Sequence, residues 1–526
     1  VKRNTVIWWL ILAVCLTAFV TIAILADRIF EHVPHSEDEV AYIFQAKVFA
    51  QNRLTVPTPQ NSDAFWTPFV VDYQEQRFGK YPPGWPLLLN LGVRLGAPWL
   101  VNAFLATLTL FLIAWLGKCF YEPKIGLWAA GLALVTPGFL SLSSSLLSHT
   151  SSLFWTTLAL VALSHLTSEE RETWDEKHEV DAIRKATVTV GPTKMVGPQY
   201  APRSYPLYAI IVGPALGAVF ITRPFAALGI GLAVGIFLLT LMVRHELKWT
   251  VLLWLTLGFL PVAALLPLYW WAITGDPTFN PYLLVWPYDR LGFGPNVGAY
   301  GYSLHDAIFI NTRLKLTTLA TGLFGWPGWS NLLFLPIPFL MRRTNRWDWL
   351  LLGTILGMVS VHIFYWSFGG VDGGFPRYYY DALPALLLLT IRGIQISIQY
   401  LKYWQFTKLN LPLSWLPIAL VISFIAYNLI WNLPPLLAAQ KGKYDITPAP
   451  LQAVEQANLP KPALVMVKNA ESWNKFAAPF AANSPTLDGP VVYAIDWEPT
   501  LTQQVREQFK ERTCWELEGE ILRRCH

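Results

Sequence analysis

Three consecutive carboxylates, Glu37-Asp38-Glu39, follow an apolar run that ends at Ala26, and a lone cation stands in Gly79-Lys80-Tyr81-Pro82-Pro83, where the chain turns apolar again. A carboxylate at a membrane face can take the proton of a hydroxyl as a general base. A lysine there can meet a phosphate as a point charge. Arg377 lies in Gly373-Gly374-Phe375-Pro376-Arg377-Tyr378-Tyr379-Tyr380-Asp381, Arg223 precedes Pro224, and His149 stands in Ser148-His149-Thr150, each at an end of an apolar run. Every one of these residues also has an ordinary reading. Acids at a helix start favour its dipole, and Ser36-x-x-Glu39 fits a capping box, so Glu37 and Glu39 divide evenly between capping and chemistry. Asp38 is not the box residue. Lys80, Arg223 and Arg377 can be snorkelling interface cations, although the glycines near Arg377 leave room for a bulky anion. A histidine at a helix start is ordinarily structural; its place on the same face as Asp38 makes His149 a candidate.

The elements that must position these residues are membrane spans. The chain has 526 residues, of which 54% are hydrophobic and only 14% charged, against roughly 25% charge in a soluble domain. Apolar runs of about 20 residues recur along it. The net charge of +5 is accounted for by lysines and arginines that anchor inner loops, and no nucleic-acid motif is present. Lys2-Arg3 and the run Val6–Ala26 read as a retained first span with its N-terminus in the cytoplasm, too long for a signal-peptide core. The segment Trp85–Pro98 is short for a span; if it stays at the surface, the basic segment Thr167–Ser204 falls inside, as the positive-inside rule prefers. Spans are then expected at Trp99–Gly117, Ile125–Ser143, His149–Leu166, Tyr205–Thr222, Pro224–Val243, Thr250–Trp271, Gly325–Met341, Trp347–Trp366, Ala382–Tyr400 and Pro412–Trp431, about eleven in all by hydropathy.

Two parts lie outside this pattern. The first outer loop, 27–98, carries Val40, Ile43, Phe44 and Val48 at helical spacing, which predicts a juxtamembrane helix lying in the interface. Thr55–Gln76 reads as loop, and Ala307–Phe324, with Arg313 and Lys315, as interfacial. After Leu433 the composition becomes that of a small α/β domain over 434–526. Its helices are expected at Pro448–Asn458 and Thr500–Arg512, its strands at Ala463–Val467 and Val491–Ile495, and a hairpin about Glu518-Gly519. The odd span count puts this domain outside, and 1–433 is the transmembrane domain. Cys514 and Cys525 either pair there or stay free. No Cys/His spacing of a zinc site occurs.

An acidic pair after span 1, a long first outer loop, a lysine before Pro82-Pro83 and a soluble outer tail together resemble the GT-C integral-membrane glycosyltransferases. The branch is the one related to protein O-mannosyltransferases and the aminoarabinose transferase of lipid A, and the resemblance extends to about residue 380. It implies a polytopic α-helical fold in the plasma (inner) membrane. It also implies transfer of a sugar from a polyprenyl-phosphate donor to a glycan, lipid or protein acceptor at the extracytoplasmic face, with inversion. Asp38 is then catalytic with Glu39 adjacent; Lys80, with Tyr81 beside it, binds the lipid phosphate; Arg377 faces that phosphate, with Arg223 and His149 as further contacts. The chain departs from the family at His149, where an acidic residue is usual, which puts a second carboxylate and a divalent metal held by it in doubt. The sequence requires no cofactor. A transporter or flippase of a lipid-linked substrate is the alternative, and a membrane assembly factor a third. The charges cluster at one face and no internal repeat is found, whereas transporters show repeats and ionisable residues in mid-span.

Overall fold

The computed structural model describes residues 2–167, 205–402, 405–406 and 411–525. The basic segment Thr167–Ser204 therefore lies, beyond its first residue, outside the described residues. Among those described, six helical segments are long and apolar enough to cross a membrane: Thr5–Arg28, Leu100–Phe120, Pro224–Val243, Thr250–Thr274, Arg377–Leu401 and Trp415–Asp445. Where one span was expected over Ile125–Ser143, two helices, Pro123–Leu134 and Pro137–Ser144, meet at a 66° bend. Thr136, ahead of Pro137, is extended at φ −78°, ψ 118°, because a proline ring pushes the preceding residue out of the helical region. Gly325–Met341 forms no continuous helix either: a 3-10 turn, Gly328–Leu332, is followed by a single turn, Ile337–Leu340. Pro327, Pro336 and Pro338 deny the backbone the donors a longer helix needs.

The helix over 149–167 is buried along nearly its whole length, in the middle of the bundle. Helix Arg346–His362 starts from a capping box, in which Asn345 Oδ1 accepts from Asp348 N–H and Asp348 Oδ2 accepts from Asn345 N–H at 2.7 Å. It packs closely on Pro224–Val243 through two glycines: a Cβ on Gly357 would stand 2.2 Å from the carbonyl oxygen of Gly229. Small residues let membrane helices approach to this distance.

Helix α1 (Lys2–Arg28) leads into the first loop, which holds α2 (Glu37–Ala50), strands β1 (Val56–Pro57), β2 (Val70–Tyr73) and β3 (Gln76–Gly79), and α3 (Gly84–Arg94). The stretch read as loop is thus an antiparallel sheet in the order β1-β3-β2. Arg77 in β3 binds Asp72 in β2 at 2.6 Å and donates to the Phe65 carbonyl at 3.0 Å. Helix α2 does not present an apolar face to lipid: Val40, Ile43, Gln45, Ala46, Val48 and Phe49 are all buried against protein. The exposed apolar stripe belongs to α3, in Leu87, Leu91 and Leu95. At 11 residues α3 is roughly 16 Å long, too short for a hydrocarbon core of about 30 Å.

The tail folds into a four-stranded sheet in the order Ile521–Arg524, Thr513–Glu518, Ala463–Val467, Val491–Ile495. Two of its three pairings are parallel, and the one between Ile521–Arg524 and Thr513–Glu518 is an antiparallel hairpin. Ala463–Val467 is buried at every residue, as a strand covered on both faces must be. Val465 and Val467 pack with Phe476 and Ile495 on one face. Leu464 and Met466 pack with Ala64 and Phe65 of the first loop on the other. The tail therefore sits on the loop that carries Asp38. Cys514 and Cys525 form a disulfide across the hairpin.

Candidate active site

The start of α2 separates the three acids by what each one touches. Ser36 is the N-cap at φ −151°, and its Oγ accepts from Glu39 N–H at 3.4 Å. Glu39 spends both carboxylate oxygens on backbone amides: Oε2 accepts from His35 N–H at 2.5 Å and Oε1 from Leu146 N–H at 2.8 Å. The carboxyl is buried, and burial raises its pKa to about 7 against the pull of those two amides. It thereby ties α2 to the loop at 145–148. That loop is held from other sides by Trp85 Nε1 on the Leu146 carbonyl at 2.8 Å and by Asn102 on the carbonyls of Ser145 and Leu147 at 2.7 and 2.9 Å. Tyr42 adds a hydrogen bond to Ser148 at 3.1 Å. Glu37, partly buried beside Asp38, has its pKa raised by burial first and by that neighbour second.

Asp38 faces the other way. Tyr81 donates its hydroxyl to Oδ1, and Arg377 Nη1 lies 3.2 Å from Oδ2. The Asp38 side chain remains about a quarter exposed, at 24%, so its free lone pairs can be reached by a hydroxyl. Arg377 is held in turn by Asp372, at 3.4 Å from Nε, and by the Gly369 carbonyl. The loop that makes this possible turns through Gly369 at φ +81°, where a Cβ would stand 2.4 Å from the Tyr378 ring. Only glycine takes that conformation and that approach without strain.

Lys80 is buried, with its Nζ inside four aromatic rings: Phe69 at 3.6 Å, Trp286 at 4.3 Å, Tyr282 at 4.9 Å and Tyr81 at 5.3 Å to the centroids. Among the described residues no carboxylate lies within ion-pair distance of it. Burial pulls its pKa down to about 8, and Asp38, Asp289 and Glu37 pull it partly back. Ring faces attract a cation but leave its donors free, so the ammonium is poised for an anion.

A second group of cations surrounds Tyr378. Arg223 lies 5.7 Å and Lys315 5.4 Å from that ring, and Arg223 Nε approaches the buried Asp381 at 3.9 Å. Asp381 also accepts from Ser152 at 2.5 Å and Thr156 at 3.0 Å. Lys315, read from sequence as interfacial, is fully buried and donates to the Ser367 carbonyl at 3.2 Å. His149 is buried near Tyr380, ring centroids 6.3 Å apart, with no hydrogen-bond partner for either ring nitrogen among the described residues. The structure thus gathers Asp38, Tyr81 and Arg377 by direct contact, puts Lys80 next to Tyr81, and sets Arg223 on Tyr378, the residue after Arg377. Sequence reasoning missed Asp372, Lys315 and the ring cage; for the cage the only local signal was the aromatic density of the loops.

No three His, Cys, Asp or Glu side chains group as metal ligands among the described residues. Glu39 is bound to two backbone amides, and a histidine stands at position 149.

The chain matches no family model and no curated protein. Among solved structures it is similar to ArnT from Cupriavidus metallidurans bound to undecaprenyl phosphate, with TM-score 0.56 and 12% identity over 96% of this chain and 92% of that one. It is similar to apo ArnT from the same organism, with TM-score 0.54 and 13% identity over the same shares of the two chains, 96% and 92%. The apo oligosaccharyltransferase of Archaeoglobus fulgidus aligns at TM-score 0.47 and 14% identity over 90% of this chain; the chain spans 64% of that protein's length. At such identities the likeness is one of fold: this integral membrane protein, with six helical segments long and apolar enough to cross a membrane among its described residues, shares the fold of ArnT.

Proposed function

We propose that the chain is a membrane glycosyltransferase that moves a sugar from a polyprenyl phosphate to a hydroxyl of a glycan, lipid or protein acceptor, at the extracytoplasmic face of the plasma (inner) membrane. The observation that carries this reading is the partly exposed Asp38, held by Tyr81 and Arg377, with the aromatic-caged Lys80 beside Tyr81. In the reaction Asp38 takes the acceptor hydroxyl proton as the oxygen attacks the anomeric carbon. The bond from that carbon to the phosphate oxygen breaks, and the lipid phosphate leaves with the electron pair. Attack from the face opposite the leaving group inverts the anomeric centre. Lys80 and Arg377 meet the charge as it develops on the phosphate, which is where fixed cations lower a barrier most. Glu39 is a positioning residue that fixes the start of α2.

Two features support an outer location for the tail: the Cys514–Cys525 disulfide, a bond that persists in oxidising compartments, and its packing on the loop of Asp38. Lys2-Arg3 supports a cytoplasmic N-terminus. The test is transfer from a radiolabelled polyprenyl-phosphate sugar pool in membranes that contain the protein. Release of free polyprenyl phosphate together with a labelled acceptor is expected. Movement of the intact lipid-linked sugar between leaflets without cleavage would replace this reading with that of a flippase.

A further inference from the structure

Four charges alternate in a row across the site and into the tail. Asp38 Oδ2 lies 3.2 Å from Arg377 Nη1, Arg377 Nε lies 3.4 Å from Asp372 Oδ2, and Asp372 Oδ1 lies 3.0 Å from Lys443 Nζ. Lys443 belongs to the 3-10 turn Lys443–Asp445, at the C-terminal end of the last apolar helical segment, Trp415–Asp445. The Asp372 side chain is 10% exposed and that of Arg377 17%, so solvent screens the central contact little. Two residues earlier Lys441 pairs with Glu31 at 3.2 Å, a second strap between this segment and the first loop.

We propose that Lys443 is a positioning residue that acts through Asp372 to leave Arg377 available to the lipid phosphate, and so couples the seating of the tail to the donor site. This rests on the reading of Arg377 as a phosphate contact. Arg377 already faces two carboxylates, and a phosphate adds a third anion in competition for one guanidinium. Lys443 satisfies the far oxygen of Asp372 and offsets its charge. Without it, Asp372 keeps Arg377 as its only cation among the described residues and holds it more tightly, at the expense of the phosphate.

The experiment is binding of undecaprenyl phosphate to the purified full chain in detergent, followed by native mass spectrometry. Lys443→Met is expected to weaken binding about tenfold, the scale on which contacting charges couple. Lys443→Arg should bind like the parent. Asp372→Asn should bind at least as well as the parent, and adding it to Lys443→Met should recover most of the loss, because the competing carboxylate is gone. In an Arg377→Ala background, Lys443→Met should have no further effect. A merely structural lysine would show none of this rescue. Parental binding by Lys443→Met, or a loss that persists in the Asp372→Asn or Arg377→Ala background, would overturn the proposal while leaving Arg377 as a phosphate contact. Parental binding by Arg377→Ala alone would overturn the phosphate reading itself. Should Lys443→Met not fold, Lys443→Gln carries the same comparison.

Discussion

Asp38 and Arg377 stand 339 residues apart in the chain and meet at 3.2 Å. The acid comes from the first turn of α2, and the cation from the glycine-rich loop before a late span. The guanidinium contacts one carboxylate oxygen, Tyr81 donates to the other, and the Asp38 side chain stays about a quarter exposed, at 24%.

Asp38→Asn keeps the size of the side chain and its hydrogen bond to Tyr81 or Arg377, but it cannot accept a proton. A general base contributes about 10²–10⁴-fold in rate. Asp38→Asn is expected to fold, to retain polyprenyl phosphate and to lose transfer by at least about 10²-fold, measured as labelled-donor turnover with expression matched by blot. Near-parental transfer would remove Asp38 from the role of base.

Glu39 should separate from Asp38 in such a series. Its pKa in the folded chain, about 7, lies above the ordinary value of 4.5, so the folded state holds this proton more tightly. The associated stability is full below the ordinary value and is lost as pH rises through about 7. Thermal unfolding in detergent should show the parent losing stability between about pH 5 and about pH 8, with a flatter profile for Glu39→Gln. Glutamine has one carboxamide oxygen for two amides, so one buried N–H loses its acceptor at about 1–3 kcal/mol. Transfer by folded Glu39→Gln should fall less than transfer by Asp38→Asn; an equal loss would give Glu39 a direct part in the chemistry.

Lys80 titrates near about 8 in its aromatic cage. A protonated lysine attracts phosphate and a neutral one does not, so affinity for undecaprenyl phosphate should fall as pH rises from about 7 to about 9. Lys80→Arg, which stays charged throughout, should lose that pH dependence even if its longer head fits the cage less well. Lys80→Ala should bind weakly at every pH. An unchanged pH profile in Lys80→Arg would assign the titration to another group.

The orientation can be read with single cysteines. Ser472 is exposed in the tail, and Thr344 follows the exposed pair Arg342-Arg343 at the other end of the bundle. Ser472→Cys should react with an impermeant thiol reagent on intact cells, and Thr344→Cys only after permeabilisation. The two native unpaired thiols, Cys15 and Cys119, are buried and half-buried, so background should be low. The reverse labelling pattern would turn the whole map over, site included.

What the sequence determined by itself is what neighbouring residues decide. The strands Ala463–Val467 and Val491–Ile495 lie where their apolar runs put them. Ser36 caps α2, because a hydroxyl ahead of a helix has only that helix's first amides within reach. The order of acid, lysine and arginine along the chain was legible for the same reason: charge in an apolar chain is sparse. Other features depended on partners far away in the chain. The first-loop sheet has strands of two to four residues, too short for an alternation to register. Helix α2, patterned like an interfacial helix, is instead covered by α3, β3 and the tail. Lys315 looked like an interface cation until the packing of its helix against Ser367 and Tyr378 buried it. The contact of Glu39 with Leu146, and those of Arg377 with Asp38 and Asp372 and of Asp372 with Lys443, were of the same kind. Periodicity and capping act over one or two turns; which charge meets which across several hundred residues is decided only when the helices pack.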